Sequence, residues 1–196
     1  MFSAQQNPSQ AQLAYQIRYQ AYLDRASITA NSTQTFTDDY DDTPNCLTHV
    51  EFIEGAPAGS IRACIYDPLR PDLTVPAQEL CPLEVENALD QKSKFVESNK
   101  FVVHPSYQHK AMALKFSLFR YVFDIAIEIG ADYILTSPRA TQTDFYERML
   151  FKPISGVKRS LALDFDVVLM ACDLRIAREK VRTDRRFAML KRFGLC

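Results

Sequence analysis

Three groups of residues in this chain have types and spacings that could do chemistry. The turn Pro105-Ser106-Tyr107-Gln108 lies where a strand-like run, Phe95 to Val103, is stopped by Pro105 and gives way to a long apolar helix. Such a turn presents free backbone N–H groups at the positive end of a helix dipole, a setting that binds phosphates or other anions. Arg18 and Tyr22 stand four apart in a helix-like segment and so stack on one side of it. Asp38, Asp39, Asp41 and Asp42 close a polar, aperiodic stretch, 31–45, that reads as a mobile loop. A separate charge feature is the tail. From Asp173 to Cys196 eight Arg or Lys stand against three Asp or Glu, net +5, in a chain of net charge −1. A basic segment can dock an acidic partner, nucleic acid or a membrane surface, and a solvated helix face would have the same composition.

Cysteine and histidine add no site. The five cysteines (46, 64, 81, 172, 196) are odd in number and lack C-x-x-C spacing, which predicts reduced thiols. No Cys-His pairing is suggested, so Cys64 and Cys172 read as core residues, not nucleophiles. The histidines (49, 104, 109) are scattered and predict no metal site.

The elements that must position these groups follow from periodicity and breakers. Gln10–Arg25 is helix-like, with Leu13, Ile17 and Ala21 on one face. Strands are expected at 47–54 and 60–67 around a connection at 55–59, and Pro68, Pro71, Pro76 and Pro82 forbid regular structure through most of the next span. A short helix at 83–90 leads to the strand at 95–103. The long helix carries one thin solvated stripe (Lys115, Arg120, Asp124, Glu128) and ends at Gly130. A strand at 133–136 and a helix at 141–150 follow, the latter broken by Pro153 and Gly156. Strands at 156–162 and 166–172 precede a basic helix at 174–193. Antiparallel strands followed by a strand-helix-strand unit predict a mixed α/β sheet with helices on both faces. Apolar content of 47% and charged content of 24% over 196 residues fit one globular domain with a proper core. There is no run of 18 apolar residues, and the N-terminus lacks the basic and apolar regions of a signal peptide, so a cytoplasmic protein is expected.

This order of elements resembles the GNAT acyltransferase superfamily, which implies a GNAT fold of six to seven strands over residues 1–174, with 175–196 as a basic helical extension. Gln108-x-x-Ala111-x-Ala113 is similar to that family's Gln/Arg-x-x-Gly-x-Gly/Ala turn, with alanine for the first glycine. Asp144 to Pro153 resembles its FYerlGF.P segment, with Leu150 where glycine is usual. A sharper resemblance, over residues 13–172, is to the branch of acyl-homoserine-lactone (autoinducer) synthases and N-acyl amino acid synthases. Its carriers are Arg18-x-x-x-Tyr22, Asp38-Asp39-Tyr40-Asp41, Gly59-Ser60-Ile61-Arg62 and Glu97-Ser98-Asn99-Lys100-Phe101-Val102-Val103, in that order. Lys100 replaces an arginine, and the chain has no tryptophan, which the autoinducer synthases usually carry in their S-adenosylmethionine pocket. Those departures favour the amino acid synthases.

The resemblance implies transfer of a fatty acyl group from a thioester to an amine, with no tightly bound cofactor. One phosphate of a phosphopantetheine arm needs fewer glycines than a pyrophosphate, so acyl-carrier protein is the expected donor, with acyl-coenzyme A the alternative. Glu97 is the expected base, and a salt bridge to Arg62 or Arg18 is its structural alternative. Tyr146 could protonate the leaving thiolate or simply pack. Phe101, Val102, Val103, Gln108, Lys110, Ala111 and Ala113 would bind the acyl donor, backbone N–H groups at 101–103 meeting the oxyanion. Arg18, Tyr22, Asp38, Asp41, Arg62 and Lys100 would hold the amine acceptor, or else form an ion-pair lattice pinning the first helix. The basic tail would dock acyl-carrier protein or contact a membrane peripherally; nucleic acid is not expected. The rival readings are an autoinducer synthase using S-adenosylmethionine, a coenzyme A-dependent acetyltransferase, and a non-catalytic lipid- or partner-binding protein on the same fold.

Overall fold

The computed structural model describes residues 8–195, so Cys196 lies outside it. Helix α1 (Pro8–Asp24) precedes a 3-10 turn (Asp39–Asp42), strands β1 (Cys46–Ile53) and β2 (Ala56–Tyr66), and short helices α2 (Pro76–Leu80) and α3 (Pro82–Ala88). Strand β3 (Phe95–Val103), a 3-10 turn (Pro105–Lys110), helix α4 (Ala111–Glu128) and strand β4 (Tyr133–Thr136) follow. Helix α5 (Thr143–Glu147), strands β5 (Lys152–Arg159) and β6 (Asp166–Asp173), helix α6 (Leu174–Thr183) and a 3-10 segment (Arg185–Phe193) complete the chain. The six strands form one sheet in the order β1-β2-β3-β4-β6-β5, antiparallel except for β3 beside β4.

Register sorts the side chains between the two faces, because cross-strand partners share a side. On one face Thr48, Arg62, Cys64, Glu97 and Asn99 lie under α1, α2 and α3. On the other, Ile61, Ala63 and Val96 pack against α4 through Leu118, Phe119, Val122 and Phe123. The tail joins this second core: Leu174, Ala177, Val181, Leu190, Phe193 and Leu195 are all buried in it, while Arg175, Lys180, Arg182, Arg185, Lys191 and Arg192 face outward.

Two irregularities shape the middle of the sheet. The β2–β3 pairing steps from Ser60↔Val102 to Arg62↔Asn99, so β3 carries one extra residue, and Lys100 takes up the bulge at φ +50°. A lysine in that left-handed region is strained, and the extra residue lets consecutive Asn99 and Lys100 reach the same face, which a regular strand forbids. Gly59 belongs to the same close approach: a Cβ there would stand 2.9 Å from the Val102 carbonyl oxygen. The second irregularity is a divergence. Strand β4 pairs with β3 only along Phe95–Ser98, and from Asn99 onward β3 has no paired strand on that side among the described residues.

Several expectations are corrected. Cys46 and Cys64 form a disulfide, because the β1–β2 register sets them directly opposite at a Cα separation of 4.0 Å; sequence spacing carries no trace of that register. Cys81 and Cys172 are free and buried. The acidic stretch is pinned, not loose: Asp38 caps the backbone N–H of Tyr40, and Asp41 returns the bond to Asp38. Pro76 and Pro82 start helices, since the first helical position needs no N–H. The β1–β2 connection shrinks to a turn at Glu54-Gly55, and β2 begins at Ala56. Pro153 and Gly156 lie inside β5, which tolerates them as an edge strand. The helix expected at 141–150 is one short 3-10 turn and the five residues of α5. The basic helix breaks at Asp184, whose side chain accepts from the Arg186 N–H.

Candidate active site

The divergence of β3 from β4 opens a cavity of about 430 Å³. Its wall brings together Tyr22, Asp38, Arg62, Glu97, Lys100, Phe101, Val102, Val103, Gln108, Ala111 and Tyr146 from the residues singled out by sequence. Arg18 and Asp41 are buried one layer behind. Lys110, 4.0 Å from Glu54, and the exposed Ala113 lie outside the wall.

Behind the wall an ion-pair lattice ties α1, the acidic turn and β2 together. Arg18 Nη1 donates to both Asp41 oxygens at 2.8 and 2.9 Å, and its Nη2 donates to Thr48. Arg62 meets Asp38 at 2.5 Å and Asp41 at 2.9 Å, while its Nε donates to Asn99 Oδ1 at 2.8 Å. Lys100 Nζ reaches Asp38 at 2.8 Å. Burial alone would raise Asp38, but the bonds from Arg62 and the charge of Lys100 outweigh it and hold that carboxyl far below the usual range. Burial also pulls Lys100 down, only partly offset by Asp38. Buried pairs of this kind are costly to break, because the survivor is left uncompensated.

Glu97 stands apart from that lattice. It is 1% exposed and, among the described residues, makes no salt bridge. Its carboxylate accepts from the Ala77 N–H at 2.7 Å, a free amide at the start of α2. Burial pushes its pKa up to about 7, against the opposing pull of the Ala77 N–H, the Asn99 side chain and the more distant Arg62 and Lys100. A carboxyl poised there can take a proton near neutral pH.

The two strands at the splay carry unfilled hydrogen-bonding capacity. The hydroxyls of Ser98 and Ser137 are buried without a partner among the described residues, and β3 beyond Ser98 has no strand on its β4 side. Gln108 Nε2 donates to the Val103 carbonyl at 3.0 Å, fastening the 3-10 turn to the strand end. Tyr146 packs against Phe119, Phe145 and Phe151, and burial pushes its phenol well above its ordinary value. Tyr22 packs edge-on to Phe36 at 5.0 Å, and burial raises it to about 12.

Sequence reasoning missed Asn99, Ala77, Ser137, Arg25, Lys115 and Arg139. Asn99 was within reach, since two residues from Glu97 on a strand means the same face. Lys115, expected in the solvated stripe of α4, is half-buried in the cavity wall. Nothing in the sequence ties residue 139 to the end of α1.

A mixed six-stranded sheet with helices on both faces, splayed where β3 leaves its parallel neighbour β4, is the architecture of GNAT-like acyltransferases. The family model of the N-acyl amino acid synthase FeeM matches residues 13–173, and the chain belongs to that family of acyltransferases. Among solved structures, FeeM from uncultured soil microbes is 18% identical with a TM-score of 0.72, over 88% of this chain and 90% of that one. TofI, in a ternary complex with an inhibitor and MTA, is 14% identical with a TM-score of 0.67, over 100% and 97%. BjaI, a coenzyme A-dependent acyl-homoserine lactone synthase, is 12% identical with a TM-score of 0.65, over 95% and 83%. At these identities the structures establish the fold. A search of the curated proteins finds no match.

Proposed function

We propose that this protein transfers a fatty acyl group from an acyl-carrier protein thioester to the amine of a free amino acid. The observation that carries the reading is Glu97: a carboxyl in the cavity wall, buried, without an ionic partner, and titrating at about 7. The acceptor nitrogen attacks the thioester carbonyl and forms the C–N bond. Glu97 removes the nitrogen's proton through a water, and backbone N–H groups freed where β3 leaves β4 face the oxyanion. Collapse breaks the C–S bond. Tyr146, kept neutral by burial, donates a proton to the departing thiolate, which leaves as a thiol. Phe101, Leu161, Leu163, Phe165 and Val167 offer the acyl chain an apolar wall.

Carrier protein is favoured over coenzyme A on two grounds. Ala111 stands half-buried where a pyrophosphate turn would have glycine, and the outward side of α6 is basic at Arg175, Arg178 and Arg182, suited to an acidic carrier. The test is incubation with acyl-carrier protein or acyl-coenzyme A, each with the free amino acids or S-adenosylmethionine, read by mass spectrometry. An N-acyl amino acid formed faster from the carrier supports the reading. A lactone formed only with S-adenosylmethionine, or faster transfer from coenzyme A, overturns it.

A further inference from the structure

Every cation expected to hold the acceptor already has an acidic partner: Arg18 has Asp41, Arg62 has Asp38 and Asp41, and Lys100 has Asp38. A carboxylate arriving there would have to displace a buried ion pair. The cavity wall holds three other cations, Arg25, Lys115 and Arg139. Among the described residues, none of the three has an Asp or Glu within ion-pair distance.

Arg139 is the one held in place. Its Nη2 donates to the buried Ser27 hydroxyl at 2.5 Å, and its guanidinium lies 3.8 Å from the centroid of the Phe165 ring. Its backbone is tied to β6 by a bridge to Val167 and by the Val168 N–H bonded to the Pro138 carbonyl. A guanidinium clamped on one nitrogen and one face keeps its remaining donors in a fixed fork, the arrangement that grips a carboxylate with two parallel bonds. Burial and the nearby charge of Arg25 both push its pKa down, so an incoming anion would relieve an uncompensated charge. Arg25 and Lys115 belong to the turn side of the cavity. Arg25 donates to Gln108 at 3.4 Å, and Lys115 follows Ala111 by one helical turn, where a donor phosphate would lie.

Resting on the acyl-transfer reading above, we propose that Arg139 anchors the carboxylate of the acceptor, so that a free amino acid is selected over a simple amine by a residue outside the Arg18–Asp41–Arg62–Asp38 lattice. The test compares wild type, Arg139→Gln and Arg139→Lys with two acceptor pairs, L-tyrosine with tyramine and L-leucine with isopentylamine. The expected result is at least a ten-fold fall in the amino acid to amine ratio of kcat/KM for Arg139→Gln. Part of it returns with Arg139→Lys, and KM for the acyl donor stays within two-fold. An unchanged ratio, or a loss that falls on the donor's KM, overturns the proposal; the latter would assign the guanidinium to the donor's phosphate. A second readout needs no turnover: free L-tyrosine or L-leucine should raise Tm of the wild type, and this rise should vanish in Arg139→Gln. If no amine is acylated by the wild type, the acyl-transfer reading fails by itself, and the Tm experiment still decides Arg139, with a missing or retained rise counting against it.

Discussion

Replacing Glu97 by Gln should make the protein more stable at pH 8. The carboxyl titrates at about 7 in the fold against an ordinary value of 4.5, so the native state binds the extra proton across that interval. The stability given by the neutral carboxyl is complete below about 4.5 and is lost as pH rises through about 7. At about 1.4 kcal/mol per pH unit the ionised group costs the native state about 3 kcal/mol at pH 8. The side chain is 1% exposed, so solvent screening does not reduce that figure much. Glutamine keeps an oxygen for the Ala77 N–H and removes only the charge. Urea denaturation of wild type and variant from pH 5 to 8 isolates the effect, because all other groups titrate alike in both. The variant should lead by about 3 kcal/mol at pH 8, roughly 6–12 °C in Tm for a domain of this size, and by under about 1 kcal/mol near pH 5. A difference curve that is flat, or that grows toward acid, would refute the assignment of burial as the cause.

Other perturbations reach the lattice, the phenol and the tail. Arg18→Met leaves Asp41 with Arg62 alone and should cost about 3 kcal/mol in denaturant titrations; a loss under 1 kcal/mol would mean the lattice adds little. Tyr146→Phe keeps the aromatic packing and should lower kcat about 100-fold with Tm nearly unchanged, whereas full turnover would return Tyr146 to a packing role. The tail cannot be tested by truncation, since Leu190, Phe193 and Leu195 are buried in the main core. Reversing Arg175 and Arg182 to Glu should instead raise KM for acyl-carrier protein at low salt, and not for a pantetheine thioester. Equal effects on both donors would remove carrier docking from α6.

The sequence was most legible where local physics decides the outcome. Strand β3 runs from Phe95 to Val103 as read, because β-branched and aromatic residues fill it and Pro105 cannot continue it. Strand β4 likewise keeps its expected bounds, Tyr133–Thr136, and Gly130 ends the helical segment at φ +67°. What failed depends on long-range register. Pro153 and Gly156 read as breakers until β5 is known to be an edge strand, and Cys46 faces Cys64 only once β1 and β2 are paired. In the site, the family resemblance grouped Arg18, Asp38, Asp41 and Arg62 and left open whether they hold an acceptor or form an ion-pair lattice; the lattice is what the folded chain contains. The bulge at Lys100 was invisible for a related reason: a lysine carries no signal for a left-handed backbone, which the surrounding pairing imposes. Arg139 lies 112 residues from its Ser27 partner, a contact only the folded chain makes.

The proposed role of Glu97 as the base in acyl transfer is tested most directly by the pH dependence of kcat/KM for N-acylation, measured from pH 5 to 9 on wild type and Glu97→Gln. The free acceptor amine contributes its own titration to both profiles. The wild type should show an additional break at about 7, where Glu97 ionises. Glu97→Gln should lose that break and fall in rate by about 100-fold or more. A variant that keeps full turnover, or a wild type without the break near 7, would contradict the account.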